Sequence, residues 1–319
     1  MQYGEIPGLE TPVSRIVQGA IMISADKIEE SYRLLDEIFA VGCNTIDTAH
    51  VYGDGDVERI VGRWMEDRGI RDKIIIIGKG AHHSQDRRRV TPYDITSDLY
   101  DSLARLRVDV IDLCLLHRDD VEAPVGPIVE VLNEHQAAGR ITAFGGSNWT
   151  HPRLEEANEY AYAHNLTPMV ASSPNYTLAD QVKEPWEGCI TIAGPDGKEA
   201  RDWYSSNQMG LFTWSTLARG FFSGRVSKEN YEAEGPDTMT TSFASDDNFS
   251  RLERVGELAR EKGVTVPQIA LAFVMSQPMN VFALIGSNGA DELKDNIKGL
   301  EIELTRQELD WLDLYSDER

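Results

Sequence analysis

Short apolar runs alternate along this chain with longer segments of helical character, and this alternation constrains the fold more than any other feature. The runs are continuous in Ile, Val and Leu, which is typical of parallel strands that are covered on both faces. Eight such runs lie at residues 15–22, 43–47, 74–79, 110–117, 141–147, 168–172, 211–215 and 281–285. Because strand–helix alternation favours right-handed βαβ units, we predict an α/β fold in which the strands close into a (β/α)8 barrel of the TIM type.

The segments between these runs carry helix signals. Apolar residues at helical spacing or capping residues predict helices over 29–41, 58–68, 91–106, 125–138, 150–164, 266–276 and 305–315. Thr91 stands before Pro92, a favoured pair for an N-cap and a first helical turn. Thr305 and Glu308 form the sequence signature of a capping box. These signals support the barrel because they put a helix after most of the strands.

Three further segments are predicted to decorate the barrel. The turn-rich stretch 7–12 comes before the first strand and predicts an N-terminal hairpin that plugs the bottom of the barrel. Two long insertions, 177–207 and 220–250, follow the sixth and seventh strands. Loops at the carboxyl ends of barrel strands lie over the active face, so we expect both insertions to overhang it. The length of 319 residues suits one barrel, and we predict a single domain over 1–319.

Composition restricts the partners and the compartment. Lys plus Arg number 31 and Asp plus Glu number 53, which gives a formal charge of 31 − 53 = −22. Such a surface repels phosphate backbones and anionic lipid, so we predict neither nucleic acid nor membrane as a partner. Three cysteines without metal-type spacing indicate a reducing compartment. With no signal peptide and no long apolar stretch at hand, we predict a cytoplasmic protein.

Four polar side chains stand at the ends of the second, third and fourth predicted strands or just after them. Asp47, Lys79 and His117 each close an apolar run, and Tyr52 follows Asp47 by five residues. The carboxyl ends of all strands meet on one face of a parallel barrel. A carboxylate, an ammonium, an imidazole and a phenol should therefore converge, which predicts a proton-transfer site.

Each of these residues has an ordinary structural alternative when it is taken alone. A tyrosine after a strand often only packs, and a lysine at a strand end is often a solvated charge. Asp47 could cap a helix or brace a loop, and His117 could be a hydrogen-bonded core histidine. Their joint placement on successive strands is what favours the catalytic interpretation.

The surrounding motifs resemble those of the aldo-keto reductase superfamily. The run from Asn44 to Gly53 (NTIDTAHVYG) resembles the signature of that family, and so do Lys79, His117, the pair Ser147–Asn148 and the segment 214–220 (WSTLARG). The motifs come in the family order, and the resemblance extends from about residue 11 to 315. It implies a (β/α)8 barrel that binds a nicotinamide cofactor without a Rossmann fold and reduces a carbonyl compound to an alcohol.

The chemistry of the four side chains fits that resemblance. Reduction of a carbonyl needs a hydride on carbon and a proton on oxygen, and Tyr52 is the candidate proton donor. A nearby ammonium favours the phenolate, so we expect Lys79 to lower the pKa of Tyr52. Asp47 would hold Lys79 charged and oriented, and His117 would donate to the carbonyl oxygen and orient the substrate.

The resemblance also implies contacts to the nicotinamide. Ser147 and Asn148 resemble the pair that holds the carboxamide, with an ordinary helix N-cap before Thr150 as the alternative. Ser172 stands where the family commonly has a glutamine, and a water could bridge this shorter side chain to the cofactor. Trp214 stands where an aromatic ring stacks on the nicotinamide, with a core tryptophan as the alternative.

The remaining cofactor contacts fall in two segments. The first resembles the loop over the pyrophosphate and contains Ser215, Leu217, Arg219, Gly220 and Arg225, whose two arginines could also be plain surface charges. The second resembles the adenosine side and contains Ser287, Asn288, Glu292, Asp295 and Asn296. NADP-binding members often place Lys or Arg near 286, 288 or 292, whereas this chain has Gly286, Asn288 and Glu292. We favour NADP(H) because it is the commoner cofactor of the family. The carboxylate of Glu292 makes NAD(H) a real alternative.

Three functions compete at this point. The leading one is an NAD(P)H-dependent oxidoreductase that acts on an aldehyde or ketone. Sugar or polyol-type carbonyls are among the candidate substrates, because aromatic and polar residues are predicted over the active face. A cofactor-sensing regulatory subunit of the same fold, like the potassium-channel β subunits, is the alternative from another class. A lyase or isomerase using Lys79 as a Schiff base is weaker. We predict no metal site, and the sequence leaves the oligomeric state open.

Overall fold

The computed structural model of the chain describes residues 1–234 and 241–319. Eight parallel strands in this part of the chain close into a barrel, which confirms the predicted fold class. We number the strands of the protein β1 to β10, of which β3 to β10 form the barrel. The barrel strands are β3 (Ile16–Gly19), β4 (Thr45–Asp47), β5 (Ile75–Gly80), β6 (Ile111–Leu116), β7 (Ile141–Ser147), β8 (Ala171–Ser173), β9 (Gly210–Thr213) and β10 (Val281–Ile285).

Helices surround this barrel. They are α1 (Ile28–Ala40), α2 (Asp56–Arg68), α3 (Pro92–Leu106), α4 (Val125–Ala137), α5 (His151–Ala163), α6 (Lys198–Asn207), α7 (Tyr231–Glu234), α8 (Asp246–Lys262), α9 (Val266–Met275), α10 (Ala290–Gly299) and α11 (Arg306–Leu312). The predicted caps are present, because the side chain of Thr91 accepts from the backbone N–H of Asp94 and Thr305 forms a capping box with Glu308. Four helices, α6, α7, α8 and α10, were not predicted from the sequence. Ser245 and Gly263, which cap α8, were the signal available for that helix.

Strand alternation decides which side chains fill the barrel. Successive residues of a strand point to opposite faces, so every second residue points inward. Ile77 of β5, Leu115 of β6, Ala171 of β8 and Phe212 of β9 belong to one buried apolar cluster inside the barrel. The next inward position of each of these strands, two residues further on, lies at the carboxyl end of the barrel. Side chains at these inward positions therefore line the mouth of the barrel.

The predicted N-terminal hairpin is present. Strands β1 (Tyr3–Gly4) and β2 (Val13–Ser14) pair antiparallel. Ile6, in the loop between them, is 2% exposed and belongs to the same interior cluster as Ala171 and Phe212. The hairpin therefore closes the amino end of the barrel with an apolar plug.

The two insertions reach the carboxyl end of the barrel, as predicted. The backbone N–H of Ile190, in the first insertion, donates to Oδ1 of Asn148 at 3.1 Å. The insertions also contact each other, because the N–H of Val182 donates to the carbonyl of Ser242 at 2.9 Å. Residues 235–240 of the second insertion lie outside the described part of the chain. No helix among the described residues has the length and apolar character needed to cross a bilayer.

Candidate active site

The parallel ladder of β4, β5 and β6 places three of the predicted residues side by side. Asp47 pairs with Ile77, and Lys79 pairs with Leu115, in the register of the sheet. The ladder continues into the loops, because the N–H of His50 donates to the carbonyl of Lys79 and the N–H of His117 donates to Gly80, each at 2.8 Å. Asp47, Lys79 and His117 therefore lie at or just beyond the carboxyl ends of three neighbouring strands, at the mouth of the barrel.

Tyr52 joins this group through a tight turn after β4. Its N–H donates to the carbonyl of Ala49 at 3.0 Å, and the following Gly53, Asp54 and Gly55 all have positive φ. Glycine adopts this left-handed backbone at little cost, which explains why two of these three positions are glycine. The turn sends the phenol back over the barrel instead of out into solvent.

Lys79 is the centre of the assembled group. Its Nζ lies 2.6 Å from Oδ1 of Asp47 and donates to Oη of Tyr52 at 3.4 Å and to the carbonyl of Thr48 at 3.1 Å. Lys79 is only 4% exposed and Asp47 only 3%. The ring of Tyr52 meets the ring of His117 edge to face, with 5.9 Å between centroids. The structure thus brings all four predicted side chains into contact with at least one other member of the group.

Burial and charge set the protonation of these groups. Burial raises the pKa of Tyr52 above its usual value of 10, and the Lys79 ammonium offsets that rise only in part, while Asp47 adds to it. The net direction is opposite to the lowering that we expected from Lys79 alone, because removal from water outweighs the ion's attraction. A phenol with a raised pKa keeps its proton at neutral pH.

Lys79 is charged and His117 is neutral at neutral pH. Burial alone would lower the pKa of Lys79, but Asp47 and Tyr52 reverse this and raise it, so the ammonium stays charged. Burial, followed by the charges of Lys79 and Arg118, lowers the pKa of His117 well below its usual value of 6.5. His117 is therefore a neutral imidazole at neutral pH and can donate from one ring nitrogen.

Ser147 and Asn148 lie at the end of β7, where the carboxamide contacts were predicted. Oγ of Ser147 donates to the carbonyl of Ser173 at 3.0 Å and accepts from Nδ2 of Asn148 at 3.2 Å. Asn148 has a φ of 57°, which turns its side chain back toward Ser147 and the carbonyl of His117. The two residues form one hydrogen-bonded unit beside His117.

Ser172 does not face the barrel mouth. Its hydroxyl lies 2.7 Å from Oη of Tyr204, a residue of the surrounding helix α6. Ala171, the residue before it, points into the barrel, so the next inward position is Ser173. Ser173 is fully buried, and its hydroxyl has no partner among the described residues. The predicted cofactor contact, Ser172, therefore precedes the inward-facing serine by one residue. Strand alternation counted from Ala171 was the signal that could have identified Ser173.

The segment after β9 contains the predicted nicotinamide and pyrophosphate contacts. Trp214 packs against the interior cluster, and its ring lies 6.0 Å from that of Trp186. The guanidinium of Arg219 lies 4.7 Å from the ring centre of Trp186. Ser215 and Arg219 have positive φ, as does Gly220, and this winding backbone is what exposes N–H groups in a loop. Leu217 is partly buried and Arg225 is exposed.

The adenosine-side residues divide into two groups. Ser287 and Asn296 are buried, and the hydroxyl of one and the amide nitrogen of the other have no partner among the described residues. Asn288 donates to Glu292 from its backbone N–H at 3.1 Å and from its side chain at 3.0 Å. Asp295 accepts from Thr265 at 3.1 Å and from Gln268 at 2.8 Å, at the start of α9.

A cavity of about 680 Å³ lies at the other end of the barrel, where β5 and β6 begin. Its walls include Arg71 and Asp112, which form an ion pair at 2.8 Å with each other. None of the four converging side chains lines it. Because the four converging side chains lie at the opposite end of the barrel, we place the candidate chemistry at the mouth. No group of three or more His, Cys, Asp or Glu side chains in the described ranges is arranged to hold a metal ion.

Comparison with known proteins finds relatives along nearly the whole chain. A model of the Aldo/keto reductase family matches residues 15–316. The uncharacterized oxidoreductase YrpG of Bacillus subtilis (strain 168) is 27% identical over 320 residues, which cover 96% of this chain and 93% of that protein. A probable voltage-gated potassium channel subunit beta of Oryza sativa subsp. japonica is 27% identical over 317 residues, which cover 95% and 92%. The crystal structure of the thermostable aldo-keto reductase Tm1743 matches with a TM-score of 0.76 at 23% identity, over 99% of this chain and all of that one, and shows the shared fold.

Proposed function

Because this chain belongs to the aldo/keto reductase family, whose members are NAD(P)-dependent oxidoreductases, we propose that it reduces an aldehyde or ketone to an alcohol with Tyr52 as the proton donor. One observation carries the proposal. A buried ammonium, Lys79, is held between a carboxylate at 2.6 Å and a phenol at 3.4 Å at the mouth of a parallel barrel. Burial of an ion pair costs desolvation free energy, and ionisable groups perturbed by burial and a charged partner cluster at functional sites.

The residues around the mouth fit a nicotinamide dinucleotide. Buried polar atoms are normally hydrogen-bonded, yet several atoms in the predicted cofactor segments have no partner among the described residues. They are Nε1 of Trp214, Nε of Arg219, Oγ of Ser287 and Nδ2 of Asn296. A polar ligand lying along these segments would supply the missing partners.

The mechanism follows from which donor hydrogens of the site are not already used in hydrogen bonds within the protein. A bound nicotinamide would supply the hydride. Lys79 donates to the Tyr52 oxygen, so the phenolic hydrogen is directed elsewhere and can donate to a substrate carbonyl oxygen. After the proton moves, the phenolate that remains faces the ammonium of Lys79, which stabilises it. Asp47 keeps that ammonium charged and fixed in place.

His117 would orient the same oxygen. Its pKa lies well below 6.5, so the ring is neutral at neutral pH. It can donate a hydrogen bond from one N–H, but it carries no imidazolium proton that would compete with Tyr52 as the acid. Its Nδ1 has no partner in the described part of the chain. Two donors, a phenol and an imidazole, then define where the carbonyl oxygen sits, which is how an enzyme positions a reacting group.

The choice between the two dinucleotides rests on Glu292. The family's habit favours NADP(H), as in the sequence analysis. The carboxylate of Glu292 accepts hydrogen bonds from the Asn288 backbone and side chain, at positions where NADP-binding members often carry Lys or Arg. A carboxylate there disfavours the 2′-phosphate dianion that distinguishes NADP(H) from NAD(H). This contact supports NAD(H) as the second candidate.

The experiment that tests the function uses the purified full chain with NADPH and with NADH. A panel of sugar, aliphatic and aromatic aldehydes is supplied, and turnover is followed at the nicotinamide absorbance. We expect steady oxidation of at least one dinucleotide with several aldehydes. If neither dinucleotide binds in a fluorescence titration and no aldehyde is reduced, the proposal is abandoned.

The regulatory alternative gains some support from the similarity to the rice potassium channel subunit beta. It predicts dinucleotide binding with very slow turnover and a partner surface. Binding without multiple turnovers in the experiment above would favour it. We further propose that residues 1–319 form one domain and that the protein works in the cytoplasm, in keeping with its three free, buried cysteines.

A further inference from the structure

Arg118 is a buried cation that the sequence analysis did not single out. It directly follows His117 at the end of β6 and is 8% exposed. One of its terminal nitrogens donates to the carbonyl of His117 at 3.1 Å, and its own carbonyl accepts from Nε1 of Trp149 at 3.2 Å. Its backbone and one end of its guanidinium are therefore fixed beside the candidate active site.

No carboxylate neutralises this guanidinium in residues 1–234 and 241–319. The two acidic residues that follow it have other partners, because Asp119 pairs with Arg153 and Asp120 pairs with Arg88. A single backbone carbonyl satisfies one of five N–H donors. A guanidinium that is only 8% exposed and has no counter-ion is unfavourable. Its remaining donors are therefore available to an acceptor on a ligand.

The other ionisable groups near Arg118 do not change the net charge of the site. The Lys79 ammonium already has Asp47 at 2.6 Å. Burial lowers the pKa of His117, His82 and His83, and Arg118 lowers each of them further, so the three imidazoles are neutral at neutral pH. The region around Tyr52 thus carries one net positive charge, that of Arg118.

We propose that Arg118 binds an anionic group of the substrate, so that the preferred substrates are aldehydes or ketones bearing a carboxylate or phosphate a short distance from the carbonyl. This inference rests on the proposed carbonyl reduction. The carbonyl carbon gains the hydride and the carbonyl oxygen gains the Tyr52 proton, while the anionic group is bound and leaves unchanged. Arginine suits this role because its planar fork matches both anions.

The attraction has to be local. The chain as a whole carries a formal charge of −22, which repels anions at long range. Charges beyond a Debye length, about 8 Å at physiological salt, are largely screened. A guanidinium in direct contact with the substrate is much less screened, so it decides the preference once the substrate has entered.

The test compares pairs of substrates in which one member carries an anionic group and the other does not. 4-Carboxybenzaldehyde is compared with its neutral methyl ester, and glyceraldehyde 3-phosphate with glyceraldehyde, which separates a carboxylate from a phosphate preference. We expect the wild-type protein to favour at least one anionic member by tenfold or more in kcat/KM. Arg118→Gln should bring that ratio to within about threefold of one, mainly through KM, which is the size of effect expected for loss of a charge-assisted hydrogen bond.

Two further variants separate recognition from structure. Arg118→Lys keeps the charge and should retain part of the preference, which also serves if the glutamine variant does not fold. Arg33→Gln removes an exposed arginine of α1 and should keep the wild-type ratio. A wild-type protein that reduces both members of each pair equally well, or an Arg118→Gln ratio equal to that of the wild type, would overturn this inference and leave carbonyl reduction standing. A protein that reduces none of the four aldehydes would overturn carbonyl reduction and this inference with it.

Discussion

At the scale of single residues, the balance between burial and charge around Tyr52 governs the chemistry that we propose. A hydroxyl needs to hold its proton until the hydride arrives and to lose it easily afterwards. Burial provides the first property by raising the pKa of Tyr52, and Lys79 provides the second by offering a charge to the phenolate. The lysine therefore acts after proton transfer rather than by acidifying the resting enzyme.

Removal of the phenolic hydroxyl tests the proton donor. Tyr52→Phe should lower kcat for aldehyde reduction by about 10²- to 10⁴-fold, the usual contribution of a positioned acid, because the ring remains and only the donor is lost. Dinucleotide affinity, measured by fluorescence titration, should change little. Tyr93→Phe removes a hydroxyl from a side chain that is 78% exposed and serves as the control. A Tyr52→Phe variant within tenfold of the wild type would reject this residue as the acid.

The pH profile tests the direction of the pKa shift. Tyr52 has to be protonated to donate, and its pKa lies above 10 in the free protein. The value of kcat/KM, which reports groups of the free enzyme, should therefore stay level from about pH 7 to 9 and fall only above about pH 10. His117 is neutral over this range and adds no step. A fall centred near neutral pH that Tyr52→Phe abolishes would show that Lys79 outweighs burial.

At the scale of elements, each connection after a barrel strand has its own task. The loop after β4 returns Tyr52 to the mouth, and the loop after β9 winds through positive φ at Arg219 and Gly220. The connection from β10 to α10 and the first turn of α10 present Asn288 and Glu292 at the predicted adenosine end. Loops on a rigid barrel can vary in this way without disturbing the strands that support them.

The first turn of α10 offers a test of cofactor choice. Glu292→Lys removes a carboxylate and adds a cation where a 2′-phosphate is predicted, so the NADPH-to-NADH ratio of kcat/KM should rise by tenfold or more, the size expected of a charge-assisted contact. Asp291→Lys makes the same change of charge one residue earlier, on a fully exposed side chain, and is the matched control. An equal rise in both variants would point to general charge and not to a contact at Glu292.

At the scale of the whole molecule, the surplus of negative charge opposes the compact state. A formal charge of −22 on 319 residues means that carboxylates repel one another over much of the surface. Exposed ion pairs such as Lys198–Asp202 offset little of this, because surface pairs contribute about 0–1 kcal/mol each. The barrel core and its hairpin plug supply the stabilisation.

Salt should therefore stabilise this protein. Raising NaCl from 10 to 300 mM shortens the Debye length from about 30 Å to less than 10 Å and screens the repulsion. We expect the midpoint of thermal unfolding, followed by circular dichroism, to rise by about 2–4 °C, which corresponds to about 1 kcal/mol for a chain somewhat smaller than this one. NaCl is chosen because sulfate would also strengthen apolar burial. A midpoint that falls with NaCl would mean that ion pairs contribute more than repulsion costs.

Local sequence determined much of this protein. The apolar runs and the capping residues Thr91 and Thr305 predicted strands and helices because they act within a few residues of their own position. The same logic placed Asp47, Lys79 and His117 at strand ends, and the parallel barrel then brought them together. The closed order of the strands followed from alternation with helices.

Only the tertiary structure decided the rest. Strand phase selected Ser173 over Ser172, a difference of one residue that the composition of the run does not reveal. Packing of distant segments buried Arg118 and partly buried Tyr52. Burial reversed the expected pKa shift of Tyr52, and pairing of Asp119 and Asp120 with other arginines left Arg118 without a counter-ion among the described residues. Burial and pairing depend on which segments meet in space, so no stretch of sequence read alone contains them.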